Sequence, residues 1–296
     1  MHLDGTTPLW IAATVLVYAR GEELFRRGEK AATTLDAEDI HDLRVASRRL
    51  REGLALFASC YPPAVISAVD KRVKKVTRFL GDIRNTDEAI LFFTALAAEL
   101  DDSCRRDLET FLATCHDDRE RTVRGLESGL RKIAAGRLSD LYLRTLHSLS
   151  LFTPPDNGID LFSPLSGFAK DALDQRLSTI RELLPQAREP GAIEAQHRLR
   201  IAVKHFRYRM ELLSFLVRAE YPLLHGLVKG YQDVLGTMHD LDVFSGIVRE
   251  AGFPAGTEKM ILDAMDAKRG KLFLNFSGML VAQPLEQIGE RVRDLV

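Results

Sequence analysis

A chain of 296 residues, 46% hydrophobic and 28% charged, has the composition of a soluble globular protein with a sizeable core, in one or two domains. With 41 Lys+Arg against 42 Asp+Glu, the net charge of −1 excludes a protein that coats nucleic acid through excess positive charge. Affinity for a polyanion must come from gathering cations on one surface.

Three cysteines, Cys60, Cys104 and Cys115, form no Cys-x-x-Cys pair, as expected of reduced thiols in a cytoplasmic protein. The apolar run Leu9 to Ala19 is too short to span a bilayer, and it lacks the basic flank and cleavage site of a signal peptide.

Strand signals are almost absent and helical periodicity is nearly continuous, so the predicted fold class is all-α. The first helix covers about Leu9 to Lys30. Asp36 is a good N-cap, with Glu38 and Asp39 in the first turn, for a helix ending near Ser59. Tyr61-Pro62-Pro63 breaks it and opens a helix running to Leu80-Gly81; the next spans Thr86-Asp87 to about Leu100. Asp101-Asp102-Ser103 caps a helix from Cys104 to about Arg121, with more helix to Ala135-Gly136 and from Ser139 to Phe152. Thr153-Pro154-Pro155-Asp156-Asn157-Gly158 then packs breakers into six positions and divides the chain into halves, 1–152 and 153–296.

In the second half a helix from Ser166 to Gln186 precedes Glu189-Pro190-Gly191, where Pro190 suits a first helical turn. The following helix runs to Arg218, Tyr221-Pro222 breaks it, and another reaches Leu235-Gly236. Helices from Asp240 to Ala251 and from Thr257 onward, broken near Pro284, complete the chain.

The halves share a pattern. His41-Asp42-Leu43-Arg44-Val45-Ala46-Ser47-Arg48-Arg49-Leu50-Arg51 returns, 156 residues on, as His197-Arg198-Leu199-Arg200-Ile201-Ala202-Val203-Lys204-His205-Phe206-Arg207. On a helix, His41, Arg44, Arg48 and Arg51 fall within an arc of roughly 80°, and His197, Arg200, Lys204 and Arg207 repeat it. Leu43, Leu50 and Leu54, like Leu199, Phe206 and Met210, form an apolar stripe alongside. Like charges stacked three and four apart repel unless a counter-charge is present, so two copies in phase point to an anionic ligand.

A second element, Leu80-Gly81-Asp82-Ile83-Arg84-Asn85-Thr86-Asp87, returns 155 residues on as Leu235-Gly236-Thr237-Met238-His239-Asp240-Leu241-Asp242. Before it, Lys71, Lys74, Lys75 and Arg78 share one side of their helix, where the second half keeps Lys229 with His225 nearby. The first half therefore contributes more positive charge. The architecture implied is two pseudo-repeated helical bundles.

Glu38-x-x-His41 and Glu194-x-x-His197 invite a di-metal reading, which needs two further carboxylates that no spacing selects. Fixed cations on the next two turns oppose a dication, and the two glutamates are simply acids favoured at a helix N-terminus. A metal-dependent phosphohydrolase built on these pairs is the alternative enzyme reading; no nucleophile motif or Gly-rich phosphate loop supports it. A nucleic-acid backbone binder would share the cationic face, but base reading needs interleaved aromatics, and only Tyr208 lies near it, with Glu52 in the other copy. What remains is a set of Arg, Lys and His donors suited to phosphate oxygens, needing no cofactor or metal. The histidines are expected near half protonation around neutrality.

The His-x-x-Arg-Val-x-x-Arg-Arg-Leu-Arg run at His41, its counterpart through Tyr208, and the two Leu-Gly elements resemble the CHAD family, named for a conserved histidine α-helical domain. The resemblance spans both repeats. It implies two bundles related by pseudo-twofold symmetry, with basic helices lining a central groove or pore. It also implies binding of inorganic polyphosphate and, in bacteria, association with polyphosphate granules, with other polyanions as possible partners and no membrane. By motif position it nominates His41, Arg44, Arg48, Arg51, His197, Arg200, Lys204, Arg207 and Tyr208 as lining residues, then Lys74, Lys75, Arg78, Arg84, Lys229 and His239. Some members carry a triphosphate-tunnel catalytic domain; no strand-rich segment here would make one, so a stand-alone, non-enzymatic binding module is expected.

Overall fold

The computed structural model describes residues 2–134, 137–149 and 158–296. Among them the regular structure is helical, and the only β pairing is an isolated bridge between Pro8 and Pro164. Around that bridge the amides of Leu9 and Trp10 donate to the carbonyls of Ser163 (3.0 Å) and Leu161 (3.0 Å). They satisfy two of the donors that the first turn of a helix leaves open.

The chain forms two compact units. The first comprises Met1–Glu99 and Leu108–Leu165, the second Leu100–Asp107 and Ser166–Val296. In the first, α1 (Leu9–Thr34) packs on α2 (Ala37–Leu56), α2 on α3 (Pro63–Ala97), and α5 (Arg137–His147) on α1 and α3, while α4 (Asp102–Ala134) follows α3 in the chain. Asp36 caps α2 by accepting from the Glu38 amide at 3.0 Å. Leu43, Leu50 and Leu54 are fully buried, each stabilising the fold by about 1.5–3 kcal/mol. Gly21 admits the ring of Tyr142, whose hydroxyl donates to the Val17 carbonyl; a Cβ there would lie 2.1 Å from the ring.

In the second unit α6 (Leu165–Ala187) leads to α7 (Ile193–Leu212) and the short α8 (Ser214–Val217). The long α9 (Tyr221–Glu250) then packs on α7, α10 (Ala255–Ala282) and α11 (Leu285–Asp294). The first turns of α4 also belong here: Asp107 accepts from the Thr257 hydroxyl at 2.5 Å. Arg209, buried on α7, donates to the Ala172 carbonyl of α6 at 2.9 Å.

Several boundaries differ from expectation. Neither Leu80-Gly81 nor Leu235-Gly236 ends a helix: α3 runs unbroken for 35 residues and α9 for 30. One glycine in a helix costs only about 1 kcal/mol, which packing along both flanks outweighs. The helices expected on either side of Arg121 are likewise one, α4. In the other direction α7 stops at Leu212, well short of Arg218, whose φ of 54° lies outside helical backbone. Pro190 lies before α7 rather than in its first turn, because the Gln196 side chain donates to the Glu189 carbonyl (2.7 Å) and holds that stretch as a turn.

The expected breaker run at Thr153 to Asn157 lies outside the described residues, as do Ala135-Gly136 and the end of the Ser139–Phe152 helix; Gly158 follows with φ 72°. Burial pushes the Cys60 thiol up to about 12 and raises those of Cys104 and Cys115. No described helix is long and apolar enough to cross a membrane.

Candidate functional site

Helices α2 and α7, which carry the two cation columns, are each 20 residues long and pack on α3 and α9 respectively. In the first unit the seam with α3 is stitched by hydroxyls. Thr77 donates to Ser47 Oγ at 2.9 Å, and Ser47 donates to the Arg44 carbonyl at 2.7 Å. Arg44 passes over Gly81, where a Cβ would stand 4.0 Å from its Nε. Arg51 binds Asp70 of α3 at 3.0 Å. Arg84 lies 2.9 Å from Glu88, close enough for an ion pair although its N–H is not aimed at the carboxylate.

His41 is half-buried and its Nδ1 is buried without a hydrogen bond. Burial first, then Arg84 and Arg44, hold its pKa below the ordinary value, which shifts the ring toward the neutral form. Arg48, Lys74, Lys75 and Arg78 make no ion pair among the described residues, and the three on α3 are exposed. At about 100° per residue, Lys74 and Arg78 lie about 40° and 80° from the Asp70–Gly81 line that touches α2, whereas Lys75 is turned about 140° away.

In the second unit the residues at the matching sequence positions meet other partners. His197 Nδ1 lies 3.0 Å from His239 Nδ1, the ring centroids 4.1 Å apart. His239 is pushed down to about 4 by burial, Arg200, His197 and Lys204; His197 is lowered by burial and Arg200. Arg207 is held by Gln232 (2.7 Å) and Glu211, with His225 3.3 Å away. Its guanidinium sits 4.7 Å from the centre of the Tyr208 ring. Tyr208 itself is 4% exposed, so it braces Arg207 from the core rather than lining a surface. Lys229 is exposed and pairs with Asp233 at 3.2 Å.

Two tethers were not foreseen from the sequence. Asp87 of α3 pairs with Arg119 of α4, and Asp242 of α9 grips Arg269 of α10 through both carboxylate oxygens (2.5 and 3.2 Å). Arg269 also donates to Gln196 at 2.7 Å, tying the start of α7 to the same knot. Each aspartate closes its Leu-Gly element, so the repeat itself carried the signal. Glu38 and Glu194 are exposed, and no three His, Cys, Asp or Glu side chains among the described residues are placed to hold a metal ion.

Fold and site together define a class: an all-helical protein with two histidine-headed cationic helix faces. The chain belongs to the CHAD domain family, which matches residues 18–249. No curated protein matches it. Its fold is similar to that of the CHAD domain from the plant Ricinus communis, with a TM-score of 0.66 at 21% identity, covering 100% of this chain and 95% of that one. PptA from Streptomyces chartreusis gives 0.65 at 14%, covering 93% and 100%.

Proposed function

We propose that the protein is a non-enzymatic binding module for inorganic polyphosphate, held on the cationic faces of α2–α3 and α7–α9 and acting in the cytoplasm at polyphosphate granules. The observation that carries the reading is that Arg48, Lys74 and Arg78, beside or next to the α2–α3 seam, have no carboxylate partner among the described residues. Charges left open in this way are available to an external polyanion. Arginine forks and lysine point charges both suit phosphate oxygens, and the family resemblance supplies polyphosphate as the ligand. The test is calorimetric titration with long-chain polyphosphate at low and high salt, against double-stranded DNA at matched phosphate concentration. The expected result is tight polyphosphate binding, steeply weakened by salt as counterion release requires and well above DNA. Equal affinity for both would reduce the face to a generic cationic surface.

A further inference from the structure

His239 occupies the place that Arg84 holds in the first half, and it brings an imidazole to 3.0 Å from His197. Two neutral rings bonded through their Nδ1 atoms need one Nδ1–H donor and one bare Nδ1 acceptor. The donor ring then has a bare Nε2. A proton arriving from solvent at that Nε2 turns the donor into an imidazolium while its Nδ1–H still points at the partner, now as a charge-assisted bond. A second proton would place hydrogens on both Nδ1 atoms and break the contact. The pair therefore holds one added proton, and no more, with its hydrogen bond intact. His41 has no such partner: its Nδ1 makes no hydrogen bond, and its neighbour Arg84 has no acceptor nitrogen to offer.

The surrounding charges set when that proton arrives. From α7, Arg200 and Lys204 oppose it and Glu194 favours it. From α9, Asp242 favours it, but that carboxylate is engaged by Arg269 of α10. Burial, the largest influence on both rings, acts with the cations, and together they favour the neutral pair in the free protein. A phosphate chain laid along α7 would offset Arg200 and Lys204, the two cations that oppose the proton.

We infer that the His197–His239 pair takes up one proton when a phosphate chain binds the α7–α9 face, so that binding there tightens as pH falls. This rests on the polyphosphate reading above. One linked proton changes affinity by up to about tenfold per pH unit.

The test combines two measurements on the whole protein. Calorimetry with long-chain polyphosphate at pH 7, in buffers of different ionisation enthalpy, counts the protons taken up. Carbon-13-labelled histidine then shows by NMR which rings become imidazolium. The expected result is conversion of one ring of the pair on binding. His239→Arg, which gives α9 the residue α3 carries, is expected to bind more tightly than wild type at pH 8 and to reduce the linked proton count by about one. His239→Gln should also lose that proton but bind more weakly at pH 6. Binding without protonation of either ring, or an undiminished proton count in both variants, would overturn the inference and leave polyphosphate binding standing. No binding at any pH would overturn both.

Discussion

Along α3, the residues at 71, 74, 75 and 78 are Lys, Lys, Lys and Arg; at the matching places on α9, 226, 229, 230 and 233, they are Gly, Lys, Gly and Asp. Beside the leading histidine the first half has Arg84 and the second has His239. Yet the apolar positions of the two motif helices, and the aspartate closing each Leu-Gly element, have stayed alike. The difference follows from what each residue answers to. A buried leucine or a tethered aspartate answers to its neighbours in the fold, while an exposed lysine answers only to a ligand. The first unit carries more fixed charge, and the second has at matching positions groups that titrate or pair internally.

The comparison can be broken most directly by charge reversal. Arg44→Glu with Arg48→Glu is expected to weaken polyphosphate binding by about 1000-fold, and Arg200→Glu with Lys204→Glu by about 100-fold, since like charge against a polyanion costs several kcal/mol. Circular dichroism should show unchanged helix content, and equal losses would contradict the asymmetry.

Where the halves agree, the expected effects agree. Asp87→Ala and Asp242→Ala each leave a largely covered arginine without its partner, costing about 3 kcal/mol in urea unfolding. An innocuous Asp242→Ala would mean that Gln196 alone suffices for Arg269.

Salt dependence sharpens the contrast further. Replacing Lys74 and Arg78 by alanine should flatten the slope of log affinity against log salt by about 1.4, using about 0.7 per cation for a single-stranded polyanion. Lys229→Ala should change it by less than half of that, because Asp233 already engages the ammonium.

Stability against pH is expected to change as well. His239 is about 4 in the folded protein against an ordinary 6.5, so below 6.5 the unfolded chain binds the proton first. Its contribution is whole above 6.5 and is lost progressively as pH falls to about 4. Thermal melts of His239→Gln should lack this increment, and a wild-type curve flat across that window would count against a neutral pair.

Helix content, the Asp36 cap and both cation columns were legible in the sequence because each depends on residues within a turn or two of one another. Less local features were not. The angle of Tyr208 on a helical wheel places it next to the cations, but only the packing around α7 decides that this flank is covered. Arg119 and Arg269 lie 32 and 27 residues from their aspartates, so the internal repeat does not bring them into line. Gly81 and Gly236 read as stops because a glycine's local cost is visible, while the support from flanking helices is not.

The three thiols have a practical consequence. Alkylating reagents attack the thiolate, and burial raises the pKa of all three thiols, but only Cys60 and Cys104 are also closed off from solvent, whereas Cys115 is half-buried. Toward maleimides the native chain should therefore present one accessible sulfur, that of Cys115. With Cys115 replaced by serine, a single cysteine placed at exposed Asn85 or Gly226 would react first, so fluorophores can report on each face separately.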